Sequence, residues 1–126
     1  FIIAGILNLL FGLFHLFFWK FFDWPDSLIA ISHDNRAILQ VANIQLAFLI
    51  LFFGYVSIIH YRDLFAQKIG IILSTFIASF YLVRIVNEVI FWGVSSWEST
   101  ITIAVCAYLS AIYVLPIFYS HKTDKS

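Results

Sequence analysis

The amino-acid sequence predicts an all-α integral membrane protein, built as a bundle of four antiparallel transmembrane helices that run up-down-up-down. The first observation behind this prediction is composition: of the 126 residues, 63% are hydrophobic and 11% are charged, and the mean hydropathy is +0.98. A soluble domain of this size needs a polar shell, because a small protein exposes much of its surface. So few charged residues cannot form that shell, whereas lipid can take its place.

The second observation is that four long apolar stretches, separated by short polar segments, fill nearly the whole chain. They cover residues 1–22, 36–60, 67–92 and 99–120, and a hydrophilic tail covers residues 121–126. As a helix, each stretch is roughly 30–39 Å long, which is enough to cross the hydrocarbon core of a bilayer. No repeat or second domain interrupts them, so we expect a single membrane domain over residues 1–126.

The polar segments predict where these helices end. Residues 24–35 form the longest connection, which we expect to lie at the membrane interface with Trp24 as its anchor; the alternative is a lid that folds over the bundle. Asp34 or Asn35 is a natural N-cap for the second stretch, because a short polar side chain can accept a hydrogen bond from the first helical turn. Residues 61–63 are expected to form a short polar turn between the second and third stretches.

The basic residues favour an orientation in which both chain termini are cytoplasmic. An even number of crossings puts the termini on one side of the membrane, named side B, together with the 61–67 turn; side A holds the other two loops. Side B carries Arg62, Lys68, Lys122 and Lys125, and side A carries Lys20 and Arg36 near its helix ends. Because cytoplasmic loops carry an excess of Lys and Arg, we expect side B to be cytoplasmic.

The tryptophans mark the opposite side. Tryptophan is enriched at membrane–water interfaces, and all four tryptophans of this chain fall at side A. They are Trp19, Trp24, Trp92 and Trp97.

Each apolar stretch carries one face of small and polar residues at spacings of three and four. In a bilayer, such residues pack against other helices while large apolar residues face lipid. The faces are Gly5, Asn8, Gly12, His15 and Trp19; Arg36, Gln40, Asn43, Ala47 and Gly54; Gly70, Ser74, Tyr81, Arg84 and Glu88; and Ser99, Thr102, Cys106 and Tyr113. The pattern predicts a compact left-handed bundle with these four faces inside.

The strongest candidate site is a polar pocket near side A. Its predicted residues are His15, Gln40, Asn43, Arg84, Asn87 and Glu88. All lie within roughly 5–12 Å of the side A boundary at about 1.5 Å per residue. Arg84 and Glu88 are the sharpest signal, because a lone charge inside a membrane helix costs about 2.5–3.5 kcal/mol and usually finds a partner. Their i,i+4 spacing permits a direct ion pair.

This charged pair has three interpretations. It can fix helix packing, with Gln40, Asn43 and His15 completing its hydrogen bonds. Alternatively, Arg84 can extend towards side A with its charge in the headgroup region. In the functional interpretation, Arg84 binds an anionic or carbonyl group while Glu88 or His15 exchanges protons.

Other chemistry finds little support in the sequence. Zero net charge without a basic run argues against nucleic acid as a partner. His15 has no second histidine at matching depth for haem, and no HxxxH or ExxH spacing indicates a metal. Cys106, the single cysteine, is typical of a small buried apolar residue, and no hydrolase motif appears. We predict no catalytic residue and no metal site, and the sequence specifies no cofactor.

We therefore expect a small polytopic membrane protein, rather than an enzyme, that binds a small or lipid-like ligand in the side A pocket or serves as a subunit of a larger membrane complex. One alternative is a membrane-embedded enzyme that acts on a lipid or quinone headgroup, with Glu88 or His15 as acid and base and Arg84 as anion stabiliser. Another is a small transporter that works as an oligomer, because four short helices alone offer little room for a path.

Overall fold

The computed structural model describes residues 1–123, with the side chains of residues 1–120. Within this part of the chain every regular element is helical, which confirms the predicted all-α class. The helices are α1 (Ile2–Leu16), α2 (Phe18–Phe21), α3 (His33–Ile59), α4 (Tyr61–Ala66), α5 (Lys68–Phe91) and α6 (Trp97–Thr123), with a 3-10 turn at Asp26–Leu28.

Three of the helices, α3, α5 and α6, are long and apolar enough to cross a membrane. α3 has 27 residues, α5 has 24, and the apolar part of α6, Trp97–Ser120, also has 24. Each therefore exceeds the roughly 20 residues that a hydrocarbon core requires. These helices indicate a membrane protein. α1 is apolar but has only 15 residues, which is about 22 Å of helix.

The first apolar stretch, predicted as one helix over residues 1–22, is divided at Phe17. The Phe17 backbone has φ −91° and ψ 7°, and its N–H donates to the Phe14 carbonyl, three residues back, at 3.1 Å. Aromatic side chains lose χ1 freedom against the preceding helical turn, and five of the six residues from Phe17 to Phe22 are aromatic. Hydropathy does not report this local preference, so the length of the apolar stretch predicted a helix longer than α1.

The predicted N-cap of the second long helix is wrong by two or three residues. α3 begins at His33, and Ser32 is its N-cap: the Asn35 N–H donates to Ser32 Oγ at 3.3 Å, and the Arg36 N–H donates to the Ser32 carbonyl at 3.0 Å. Asp34 and Asn35 therefore lie inside the first turn. A carboxylate in that turn is also favourable, because the helix dipole is positive there.

The described chain divides into two compact units, which we name the α1–α3 unit (residues 2–59) and the α4–α6 unit (Phe1 with residues 60–123). In the α1–α3 unit, α1 and α3 approach each other at Gly5 and Gly54. A Cβ atom on Gly54 would lie 3.0 Å from the Gly5 carbonyl oxygen, and a Cβ on Gly5 would lie 3.2 Å from that of Gly54. Glycine at both positions lets the two backbones meet.

The α4–α6 unit contains a short helix where a polar turn was predicted. Residues 61–66 form α4, and Gln67 in extended conformation connects it to α5. A hydrogen bond from Gln67 Nε2 to Asp63 Oδ1 at 2.9 Å closes this corner.

The last helix is longer than predicted at both ends. α6 begins at Trp97, where the Ser99 N–H donates to Ser96 Oγ at 3.2 Å. At its other end the helix includes residues 121–123, which were predicted as part of a hydrophilic tail; residues 124–126 lie outside the described chain.

Candidate functional site

The six residues predicted to form a pocket fall into two groups. His15, Gln40 and Asn43 belong to the α1–α3 unit, and Arg84, Asn87 and Glu88 lie on α5 in the α4–α6 unit. A pocket that joins both groups remains a prediction from the sequence.

The register of α5 against α6 is defined by two side-chain hydrogen bonds. Ser99 Oγ donates to Glu88 Oε1 at 2.7 Å, and further along the pair Ser110 Oγ donates to the Ala78 carbonyl at 3.0 Å. The two helices run antiparallel. The residue seven positions before Glu88 on α5 therefore lies beside the residue seven positions after Ser99 on α6, and we call each such pair of positions a level. The seven-residue repeat is typical of left-handed helix pairs.

This repeat places polar or sulfur-containing residues at three successive levels of the helix pair. Glu88 lies at the level of Ser99, Tyr81 at that of Cys106, and Ser74 at that of Tyr113. All six are buried. The levels are roughly 10 Å apart. Burial of these residues bears out the predicted polar faces of the third and fourth stretches at these positions.

Tyr81 and Tyr113 are buried at neighbouring levels of the helix pair. Helical side chains lean towards the N-terminus of their own helix, so side chains on antiparallel helices lean in opposite directions. Tyr81 therefore leans towards the level of Tyr113, and Tyr113 leans towards the level of Tyr81. The interior of the helix pair is thus polar well beyond the charged residues.

Glu88 is at the centre of the charged cluster. Its Oε2 lies 2.6 Å from Arg84 Nη1, and its Oε1 accepts the hydrogen bond from Ser99. Only 6% of the Glu88 side chain is exposed. Burying a carboxylate requires that its charge be compensated, and here a cation and a hydroxyl each engage one oxygen.

Arg84 is different, because 37% of its side chain is exposed. The guanidinium carbon lies 5.6 Å from the centre of the Trp92 ring, which lies at the C-terminal end of α5. Arg84, Glu88 and Trp92 follow each other at intervals of four residues and so share one face of the helix. The guanidinium carries five N–H donors, of which only the Nη1 group contacts an acceptor among the described residues.

The other predicted α5 residue, Asn87, is exposed. One residue along an α-helix turns the side chain by about 100°, so Asn87 does not share the face of Glu88. The structure leaves it outside the buried cluster.

In the α1–α3 unit, the predicted site residues connect helices. Asn43 Nδ2 donates to the His15 carbonyl at 2.7 Å, and Trp19 Nε1 donates to Gln40 Oε1 at 2.8 Å. The His15 carbonyl belongs to the last turn of α1, where carbonyls lack partners within the helix. Asn43 therefore caps α1 from the neighbouring helix. These contacts favour a helix-packing role for the two amides, with partners in the α1–α3 unit.

We expect Asn43→Ala to destabilise the α1–α3 unit by about 1 kcal/mol, because the His15 carbonyl loses its donor in an apolar setting. The measurement is denaturant unfolding in detergent micelles. Asn87→Ala is the matched control, since it removes an exposed amide, and its effect is expected within about 0.5 kcal/mol. Equal effects of the two variants would contradict the capping role.

Two members of the α4–α6 cluster were missed as site residues. Ser99 was assigned to a buried face and Trp92 to the membrane interface, and neither to the pocket. The seven-residue spacing of Ser74, Tyr81 and Glu88, repeated in Ser99, Cys106 and Tyr113, was the available signal.

Comparisons of the chain with protein-family models, with curated proteins and with solved structures found no match. Among the described residues, no three His, Cys, Asp or Glu side chains lie close enough to hold a metal ion together.

Proposed function

We propose that this chain is a small polytopic membrane protein that binds a small or lipid-like ligand through Arg84. In this proposal it crosses the membrane four times, with the first apolar stretch as one crossing, and both termini are cytoplasmic. Trp92 and Trp97 then lie at the non-cytoplasmic interface. The site is the cluster Arg84–Glu88–Ser99, and Trp92 flanks it.

The partly exposed guanidinium of Arg84 carries this proposal. An N–H donor without an acceptor costs several kcal/mol in hydrocarbon. The donors of Arg84 that do not face Glu88 therefore require an acceptor from water, from a headgroup or from a ligand. Tryptophans favour the headgroup level, and Trp92 lies beside the guanidinium. An oxygen-bearing headgroup is thus the acceptor that this position reaches most directly.

The surroundings of Arg84 suit an amphiphile. Phe91 and Trp92, at the end of α5, are 74% and 66% exposed. A ligand with an oxygen acceptor at one end and an apolar body can satisfy the guanidinium while its body covers these rings. Arginine is well suited to this role, because its planar group presents several donors to one oxyacid group.

The position of Glu88 supports binding rather than catalysis. A general base must reach the proton that it abstracts. Both oxygens of Glu88 already interact with protein groups, and the side chain is buried. A catalytic role would require this carboxylate to leave Arg84 or Ser99 first.

Arg84→Lys tests the proposal without leaving Glu88 unpaired. Lysine keeps the positive charge but loses the planar array of donors. We expect native mass spectrometry of protein released gently from membranes to show a copurifying amphiphile on the wild type and at least tenfold less on Arg84→Lys.

Arg62→Lys, at an exposed position of α4, is the matched control and is expected to retain the ligand. Equal occupancy in wild type and Arg84→Lys, with both proteins folded, would contradict the proposed function.

A further inference from the structure

We propose that the Arg84 site takes up one proton with each anionic group that it binds, and that Glu88 accepts this proton. The inference rests on the proposed function and specifies its ligand class, an amphiphile with an anionic oxyacid headgroup. The binding equilibrium then includes one proton, so the affinity for the anion depends on pH.

Charge balance at the site couples the proton to the anion. Arg84 and Glu88 form a pair with no net charge, and both carboxylate oxygens are engaged. An anion at the exposed edge of Arg84 would bring a second negative charge to one guanidinium. The anion is partly exposed but Glu88 is buried, so the two negative charges repel each other through a region of low dielectric around the carboxylate.

Glu88 accepts the proton that enters with the anion. A proton from water adds to Glu88 Oε2, the oxygen that faces Arg84 Nη1. The ion pair is then replaced by a neutral carboxylic acid, and Arg84 is free to donate to the anion. Ser99 Oγ still donates to Oε1, which remains an acceptor in the acid. One proton and one anion enter together, so the net charge of the site is zero before and after binding.

The other titratable groups near Glu88 are less suited to take up the proton. Within its unit, Glu88 contacts Arg84 on α5 and Ser99 on α6, and the buried thiol of Cys106 lies seven residues from Ser99 on the same face of α6. Glu98, in the first turn of α6, is exposed. An exposed carboxylate gains little from neutralisation, since water screens its charge. Glu88 is therefore the acceptor that the geometry selects.

The coupling has a defined sign and size. Because the bound state carries one proton more than the free state, acid favours binding. While Glu88 is ionised in the free protein, the Kd falls by at most about tenfold for each unit decrease in pH, as linkage of a single proton requires.

The test is titration calorimetry with a long-chain alkyl sulfonate in neutral-detergent micelles. A sulfonate stays ionised across the pH range, so the ligand contributes no proton. Repeating the titration in buffers with different ionisation enthalpies counts the protons taken up. We expect close to one proton per sulfonate for the wild type and none for Glu88→Gln, whose binding does not depend on pH. Glu98→Gln and Cys106→Ser are the controls and are expected to keep the wild-type proton uptake.

A second arm distinguishes an amphiphile from a free anion. Inorganic sulfate offers the same oxyacid chemistry without the apolar chain, and we expect it to bind at least tenfold more weakly than the alkyl sulfonate. Equal binding of the two would overturn the amphiphile class.

The remaining outcomes separate the two proposals. If the wild type and Glu88→Gln both bind with the same pH profile, the coupling is overturned while the proposed function stands. If the wild type binds sulfonate no better than Arg84→Lys, the proposed function is overturned. Should Glu88→Gln not fold, Ser99→Ala decides: it removes a donor from the carboxylate, so the binding curve is expected to move to higher pH, and an unmoved curve overturns the coupling.

Discussion

Glu88→Leu is expected to destabilise the α4–α6 unit by about 3 kcal/mol, which is the lower end of the range for breaking one side of a buried ion pair. The substitution leaves the guanidinium of Arg84 without its carboxylate, 2.6 Å away in the wild type, and leaves Ser99 Oγ without its acceptor. The loss stays at the lower end because Arg84 is partly exposed and can turn towards water or headgroups.

The double variant Arg84→Leu/Glu88→Leu separates the ion pair from simple loss of a side chain. Replacing a buried pair with apolar residues is often neutral for stability, so we expect the double variant to recover most of the loss. The measurement is a double-mutant cycle by denaturant unfolding in micelles. If the free energy of unfolding of Glu88→Leu lies within about 0.5 kcal/mol of the wild-type value, the ion pair does not compensate a buried charge.

Gly70→Ala is expected to destabilise the corner between α4 and α5 by about 3 kcal/mol, because overpacking against atoms that cannot move is costly. A Cβ atom at Gly70 would contact the Asp63 carbonyl oxygen and would lie 2.7 Å from Leu64 Cα. These are backbone atoms of α4, so no side-chain rotation relieves the contact. Hydrogen exchange of the α4 amides locates the effect, and thermal unfolding in micelles measures its size.

Gly93→Ala is the control for this second prediction. Gly93 has φ +74°, and nothing lies within 4 Å of a Cβ built on it. The substitution therefore introduces only the cost of a left-handed backbone, about 1–2 kcal/mol. If Gly70→Ala lowers the stability no more than Gly93→Ala does, the close packing of α4 on α5 does not explain the glycine at position 70.

The long apolar helices could be predicted from the sequence, because bilayer crossing depends on length and hydropathy. The stretch predicted at 67–92 is α5, Lys68–Phe91, and the one predicted at 36–60 is α3, His33–Ile59. Their ends were less predictable. Ser32 and the break at Phe17 depend on local backbone conformation and capping, which hydropathy does not report.

Only the part of the candidate site that lies on a single helix could be predicted from the sequence. Arg84 and Glu88 are four residues apart, so any α-helix brings them together. Ser99 joins them only through the register of α5 against α6, which a single sequence does not specify. Asn87 was included for its depth in the membrane, but depth does not determine which way a side chain points, and it lies on the exposed surface.

Photolabelling tests the central claim, that Arg84 holds the headgroup of an amphiphile, most directly. The probe is an alkyl sulfonate with a diazirine next to its headgroup, added to the protein in lipid nanodiscs. We predict that most cross-links fall within residues 84–99 and that Arg84→Lys reduces them at least fivefold, while Arg62→Lys does not. Cross-links spread evenly along the helices, or unchanged in Arg84→Lys, would contradict the claim.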